Sequence, residues 1–271
     1  MRCPDKGMYL MTKAVKRIIL IIRRNLEISI LAGALSLMLA LPSLGSAYPG
    51  PPPHGYDRLR DAVYGQNMPI ETIKNLYSIN QATIHASSTL KDQERYYWLS
   101  MSEYLIGRAY SDEKDKKSAA RHLNIALDYV EESLLRREYS EGYRIMSDII
   151  GHLCLVKSFG YLLRHGPKVK RFANKALELD PLNGKAQIIL ASSRIYPPIA
   201  FGGDPETGIE RMKKALAMPD ISRDDLFNIY LGIGVGYTKL NEPQEASIWI
   251  QKALDVYPGN KYALEVSLKL R

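Results

Sequence analysis

Between Phe227 and Pro258, small, aromatic and branched residues recur at spacings that two crossed helices satisfy. Counting from Phe227, Tyr230 is fourth, Ile233 seventh, Gly234 eighth and Tyr237 eleventh; Ala246 is twentieth, Ile250 twenty-fourth, Ala253 twenty-seventh and Pro258 thirty-second. Gly234, Ala246 and Ala253 fall where two backbones approach closely and only small side chains fit. Tyr230, Tyr237 and Ile250 fill the gaps between the helices. Pro258 has no N–H with which to carry a helix onward, so the second helix ends there. The stretch predicts one helix–turn–helix unit with a period of about 34 residues.

The pattern recurs upstream in weaker form. Ile106, Gly107, Tyr110, Ala119, Leu123 and Ala126 keep the same offsets, after which a helical pattern runs on to about Arg137. A third copy ends with Ala176 and Pro181 in the right relation, although the stretch 141–164 fits its first helix poorly. A fourth begins near Gly184 with Leu190 and Ala191, and its second helix carries Ala215 and Leu216. Aligning Gly208 in that copy requires extra residues in its turn, at Pro197–Phe201. The complete copy resembles the tetratricopeptide repeat (TPR) family. That resemblance implies an all-α, right-handed solenoid of about four degenerate helix pairs, roughly ten helices, in which each repeat buries its apolar face only against its neighbours.

The rest of the chain agrees. Strand signals are weak, and Leu, Ala, Lys, Glu and Ile recur at helical spacing. Turn signals stand at Pro69, 111–114, 165–168, 180–184, 202–205, 219–222 and 241–244. The N-terminus reads as an address. Lys13, Lys16, Arg17, Arg23 and Arg24 precede an apolar run, Ile28–Leu41, and Gly45-Ser46-Ala47 suits a signal peptidase. The run is shorter than the roughly 20 apolar residues of a membrane span. Cleavage before Tyr48 is the leading reading and an uncleaved inner-membrane anchor the alternative; Met8 and Met11 are alternative starts. The domain reading is a signal peptide at 1–47, a Pro-rich linker at 48–68 and a TPR-like helical domain at 69–271.

Residues 1–47 hold seven Lys/Arg and two Asp/Glu, so removing them lowers the net charge from +8 to +3 (8 − 7 + 2). The basic balance belongs largely to the targeting segment and gives no support to nucleic-acid binding. Cys3 leaves with that segment, and Cys154, in an apolar helical context, has no partner for a disulfide within one mature chain. Gly232, Gly234 and Gly236 lack the strand and the third-glycine offset of a nucleotide loop, and read as helix-crossing positions. The five histidines show no metal-ligand spacing. Asp224-Asp225 and Glu131-Glu132 read as helix-start charges and a solvated face. No catalytic residue set, cofactor or metal is implied, and the reading is non-catalytic.

One segment carries a second signal. In Arg194–Gly208, Pro197-Pro198 ends a helix, and Asp204, Pro205 and Glu206 suit the N-cap and first turn of the next. Gly202 and Gly203 allow a sharp entry. This leaves Ile199, Ala200 and Phe201 as an apolar bulge, either a packed loop closing the core or the wall of a ligand or partner groove. Phe201, Gly202, Gly203, Asp204 and Pro205, with Lys214-Ala215-Leu216, resemble the periplasmic TPR proteins associated with tripartite ATP-independent (TRAP) transporters. The resemblance implies a periplasmic component that assembles as a homo-oligomer, carries an apolar pore or cleft for a small apolar ligand, and docks a solute-binding protein. The chain lacks the lipoprotein cysteine some members carry. The alternative is a general cell-envelope scaffold binding peptide segments in its concave groove.

The candidate partner or ligand contacts are Tyr196, Pro197, Pro198, Ile199 and Phe201, with one or two of Tyr96, Tyr97 and Trp98 exposed. The consecutive aromatics point in different directions on a helix, and Tyr and Trp make good contact residues. N-terminal sequencing of the protein recovered from its host is expected to begin at Tyr48; a mature chain beginning at residue 13 or earlier would refute cleavage.

Overall fold

Helices pair along this chain because small residues let their axes cross closely. The computed structural model describes residues 49–219 and 221–270. Among them are eleven α-helices and no strand: α1 Tyr56–Gly65, α2 Ile70–Ala86, α3 Asp92–Asp112, α4 Lys116–Arg136, α5 Ser140–Val156, α6 Phe159–Leu179, α7 Gly184–Ile195, α8 Pro205–Ala215, α9 Arg223–Lys239, α10 Pro243–Val256 and α11 Lys261–Lys269. A 3₁₀ turn, Ile199–Phe201, joins α7 to α8. The most extensive contacts are within α3/α4, α5/α6, α7/α8 and α9/α10. The fold is a helical solenoid of four such pairs, preceded by α1 and α2 and followed by α11. The signal segment 1–47 and the cleavage point before Tyr48 lie outside the described residues. Among the described residues no helix is long and apolar enough to cross a membrane.

The helix starts follow local chemistry. Asp115, Ser158, Asn183, Asp204 and Asn260 each accept a backbone N–H from the first turn of α4, α6, α7, α8 and α11. Ser222 and Asp225 form a reciprocal capping box at α9. Asp224-Asp225 are therefore helix-start charges, as the sequence predicts. Pro181 and Pro258 follow the C-caps of α6 and α10.

The repeat register is set at the crossings. A Cβ on Gly107 would lie 2.9 Å from Leu123 Cγ, and one on Gly234 would lie 2.6 Å from Ile250 Cδ1. Ala119, Ala126, Ala176, Ala191, Ala215, Ala246 and Ala253 are fully buried. Tyr110 and Tyr237 pack half-buried against the core. In the α5/α6 pair, serine takes the glycine role: Ser147 donates to the Val169 carbonyl at 2.7 Å and Ser140 to the Ala176 carbonyl at 2.8 Å. Ser100 does the same toward Ala126, at 2.7 Å. Equivalent first positions are then Ser100, Ser140, Gly184 and Phe227, which are 40, 44 and 43 residues apart. Each eighth position is small: Gly107, Ser147, Ala191, Gly234.

Three sequence readings are corrected. Residues 56–65 are not linker: α1 buries Tyr56, Leu59, Ala62, Val63 and Tyr64, because its apolar spacing is helical. The turn at 165–168 is helix interior, since α6 runs through Pro167. Pro167 lies on the water-facing side, where a carbonyl deprived of its N–H partner can bind solvent. The second pair fits the repeat once serine is admitted at its crossings; its first helix is 140–156.

The glycines divide cleanly. A Cβ on Gly151 in α5 would meet nothing within 4 Å. Gly151→Ala is expected to stabilise the fold by about 0.5–1 kcal/mol, a Tm gain of roughly 1–4 °C. At Gly234 the added Cβ would meet the Ile250 side chain at 2.6 Å and its backbone N at 3.1 Å. Gly234→Ala is expected to cost about 1–3 kcal/mol. Thermal melts of the two variants test the crossing assignment.

Candidate interaction surfaces

The inner face of the stack is occupied by the chain's own α1. Tyr56 packs edge-on against Trp98 of α3, with ring centroids 5.0 Å apart. At the other end of α1, the Tyr64 hydroxyl accepts from Arg108 of α3 and, at 3.3 Å, from Asn228 of α9. The Tyr64 ring lies 6.0 Å from Phe227 and stacks on Tyr257 at 5.7 Å. Helices packed about 10 Å apart would place α3 and α9 roughly 30 Å apart in a straight stack, with α5 and α7 between them. One tyrosine reaches both, so the stack curls around α1.

Polar contacts close the same seam. Asp61 accepts from Tyr257 at 2.7 Å and pairs with Arg223 at 3.0 Å. Asn260 donates to the Tyr64 carbonyl at 2.9 Å, and Lys261 reaches Glu113 at 3.1 Å. The αL residue Gln66 bridges Asp112 at 2.7 Å and the Lys261 N–H at 2.8 Å.

Next to this seam lies a buried ionic cluster. Arg144 donates to Glu141 at 2.5 Å, to Asp148 at 3.1 Å and to the Tyr97 hydroxyl at 3.1 Å. Asn183 donates to the second Glu141 oxygen at 3.1 Å. Burial alone would raise the Glu141 carboxyl, but Arg144 and Lys185 outweigh it and hold the pKa down at about 2. His152 packs edge-on against Tyr104, its Nδ1 3.1 Å from the Asp148 carbonyl. Loss of water contact, and then Arg108, push its pKa down to about 3. These groups satisfy one another and tie α3, α5 and α7 together. Among the described residues no group of three His, Cys, Asp or Glu is placed to hold a metal ion.

The turns within pairs lie along one edge of a stack of antiparallel hairpins. At the α7/α8 turn the apolar bulge stands in solvent: Ile199 is 80 % exposed and Phe201 75 %. The loop is nonetheless well fixed. Phe201 N–H donates to the Pro198 carbonyl at 2.9 Å, Gly203 to the same oxygen at 3.0 Å, and Asp204 to the Arg194 carbonyl at 2.8 Å. Lys239 of α9 donates to the Tyr196 and Pro197 carbonyls at 2.6 and 3.2 Å. Gly202 has φ +84°, and a Cβ on Gly203 would sit 2.2 Å from the Pro197 oxygen, so both positions require glycine. Pro198 is exposed, Pro197 half-buried and Tyr196 exposed at this turn. The packed-loop reading is therefore overturned: the loop backbone is held while its apolar side chains point outward. On the same edge, Leu155 and Phe159 are exposed at the α5/α6 turn.

Two predicted contact residues are elsewhere. Tyr97 and Trp98 are each 1 % exposed, because α3 has neighbours on every side from Tyr97 to Gly107. Tyr96 is half-buried beneath Arg136, whose guanidinium lies 4.3 Å from the ring centroid. None of the three offers a free aromatic surface. The glycines 232, 234 and 236 sit inside α9, against Met212, Ile250 and Ile209, as helix-crossing positions. Cys154 is half-buried, and burial raises its thiol pKa.

No family model matches this chain, and no curated protein matches it. Among solved structures it is similar to TTC0263, a thermophilic TPR protein of Thermus thermophilus, with 16% identity over 79% of this chain and 94% of that one, at a TM-score of 0.47. It is also similar to YrrB, described as a TPR protein with an unusual peptide-binding site, with 15% identity over 79% of this chain and 97% of that one, at a TM-score of 0.34.

The two depressed pKa values set an acid limb. Each group favours its deprotonated form in the fold, so its contribution is complete above the unfolded pKa and is lost as pH falls. For His152 the loss starts near 6.5 and runs toward 3; for Glu141 it starts near 4.5 and runs toward 2. The Glu141 share is roughly 3 kcal/mol. Asp225 acts in the opposite sense, because burial raises its pKa to about 6 and stability is gained as it protonates, so denaturant melts of wild type and variants from pH 7 to 3 are compared by difference. His152→Gln should flatten the upper part of that limb and Glu141→Gln the part below 4.5. A His152→Gln profile parallel to wild type between pH 7 and 4.5 would refute the neutral, half-buried His152.

Proposed function

We propose that this chain is an exported, non-catalytic scaffold of TPR type that docks a protein partner on the edge formed by its within-pair turns. The observation that carries this reading is the α7/α8 turn, where a fixed backbone holds Ile199 and Phe201 in solvent. Exposed apolar side chains on a pre-organised loop lose little further freedom on binding, which favours association. The concave groove is less available. A peptide binding there has to displace α1 with its Tyr56, Leu59 and Tyr64 side chains, and α1 competes as part of the same molecule at high effective concentration.

The narrower reading is that the partner is the solute-binding component of a TRAP-type transporter, in the periplasm, with a small apolar ligand. It is supported by the resemblance at Phe201–Pro205 and Lys214–Leu216, and by the outward position of Phe201 within that motif. The broader alternative is a cell-envelope scaffold with several partners, and homo-oligomerisation is a further use of the same edge.

Crosslinking of the tagged chain in its native host, followed by mass spectrometry, tests this. The double variant Ile199→Asp/Phe201→Asp is expected to lose the main crosslinked partner while keeping its Tm within about 2 °C, since surface substitutions usually shift stability by under 0.5 kcal/mol. A solute-binding protein among the lost crosslinks supports the transporter reading, and a mixed set of envelope proteins supports the general scaffold. Identical crosslinks from variant and wild type would remove the edge from consideration.

A further inference from the structure

Helix α6 presents a second surface, chemically unlike the first. It turns Ala173 and Ala176 to the core, with Val169 and Phe172 half-buried beside them. Its opposite side is open. Phe159 and Leu163, one helical turn apart, are 65 % and 63 % exposed, and Leu155 at the end of α5 is exposed close by in sequence. Lys170 continues the Phe159–Leu163 face, and Arg164 and Arg171 share the adjoining one. Helix α6 carries five Lys or Arg residues and one acid, Glu178.

Neighbouring acids meet two of the five cations and leave three. Lys175 pairs with Glu178 at 3.8 Å, and Lys168 faces Glu131, itself beside Asp128 of α4. Among the described residues Arg164, Lys170 and Arg171 make no ion pair. His165 senses the field: partial desolvation lowers its pKa, and Lys168, Arg164 and Lys157 lower it further. As the second helix of its pair, α6 lies on the outer layer, away from α1, so this surface is convex and shallow. Apolar side chains gathered at one end of a cationic outer helix match a flat partner with an apolar interior and an anionic face.

We propose that the outer face of α6 docks on an anionic lipid bilayer, with Phe159 and Leu163 entering the headgroup layer and Arg164, Lys170 and Arg171 meeting lipid phosphates. A partner helix would need a groove to lie in, whereas a bilayer needs none. Phe159 lies at the α5/α6 turn, on the same edge as Ile199 and Phe201, but Leu163, Arg164, Lys170 and Arg171 lie further along α6, and the proposal needs no protein partner at the α7/α8 turn.

The test uses the full chain with a fluorophore on residue 163 (Leu163→Cys, with Cys3→Ser and Cys154→Ala). The control chain carries the label at residue 248, an exposed position on the outer helix α10. The vesicles contain a bilayer-borne quencher and either phosphatidylglycerol or phosphatidylcholine. The N-terminal segment by itself can tether the chain, but tethering alone leaves residue 163 in water. The expected result is quenching at 163 and not at 248 on phosphatidylglycerol, at least tenfold weaker for Arg164→Glu/Lys170→Glu/Arg171→Glu and in 1 M salt, where screening acts within about 3 Å. Three results overturn the proposal: no quenching at 163 on anionic vesicles, equal quenching at 163 and 248, or quenching indifferent to charge reversal. Sedimentation showing that the chain self-associates through an unquenched 163 face would assign that face to a second copy instead.

Discussion

The closest approach of two backbones within each pair is the constraint on which the other features depend. Where a second helix crosses Gly107, Ser147, Ala191 or Gly234, a larger side chain would push the axes apart. Wider axes would leave the aromatic residues without walls to fill against, since interiors pack to near-crystalline density. Serine serves at these crossings as well as glycine because its hydroxyl donates to a carbonyl of the crossing helix, as at Ser100, Ser140 and Ser147. The polar atom costs nothing extra there, being satisfied.

Repetition of that crossing curls the stack, and the curl brings the first and last pairs within reach of a single side chain. Tyr64 touches Arg108 in α3, Asn228 and Phe227 in α9, and Tyr257 after α10. A repeat protein ordinarily derives its stability from nearest-neighbour contacts alone. This one adds a long-range tie through α1, so its end repeats are coupled. Glu141, Arg144 and Asn183 reinforce the curl from inside by joining α5 to α7.

The sequence exposed these features unevenly, for identifiable reasons. The α9/α10 pair was legible because nearly every defining position holds a residue of unmistakable size. The α5/α6 pair was obscured because Ser147 stands where glycine is diagnostic and because α6 runs through Pro167. Helix α1 was hidden behind a Pro-rich approach; Leu59, Ala62 and Val63 are its only continuous apolar signal, on a ten-residue helix. Tyr97 and Trp98 were misread because consecutive aromatics cannot share one buried face, yet α3 has several. At the α7/α8 turn the Asp204 N-cap and the glycines were readable from local chemistry. The outward direction of Ile199 and Phe201 was not, since it depends on Lys239, 38 residues further along than Phe201.

Exposure in this molecule therefore follows topology. The inner face is filled by α1 and its tyrosines. Large apolar side chains are exposed at the within-pair turns and on the outer helix α6, and also at Ile79, Leu135, Leu182, Ile248 and Leu268. The loop that carries Ile199 and Phe201 is held by backbone hydrogen bonds and by Lys239. Phe159 and Leu163 are bordered by Arg164 and Lys170. An uncharged apolar knuckle discriminates by shape, because it has only close packing to offer. A cationic apolar helix discriminates by charge density over an area and is indifferent to shape. The two surfaces therefore differ in the chemistry they present, one offering close packing to a fixed loop and the other charge beside apolar side chains.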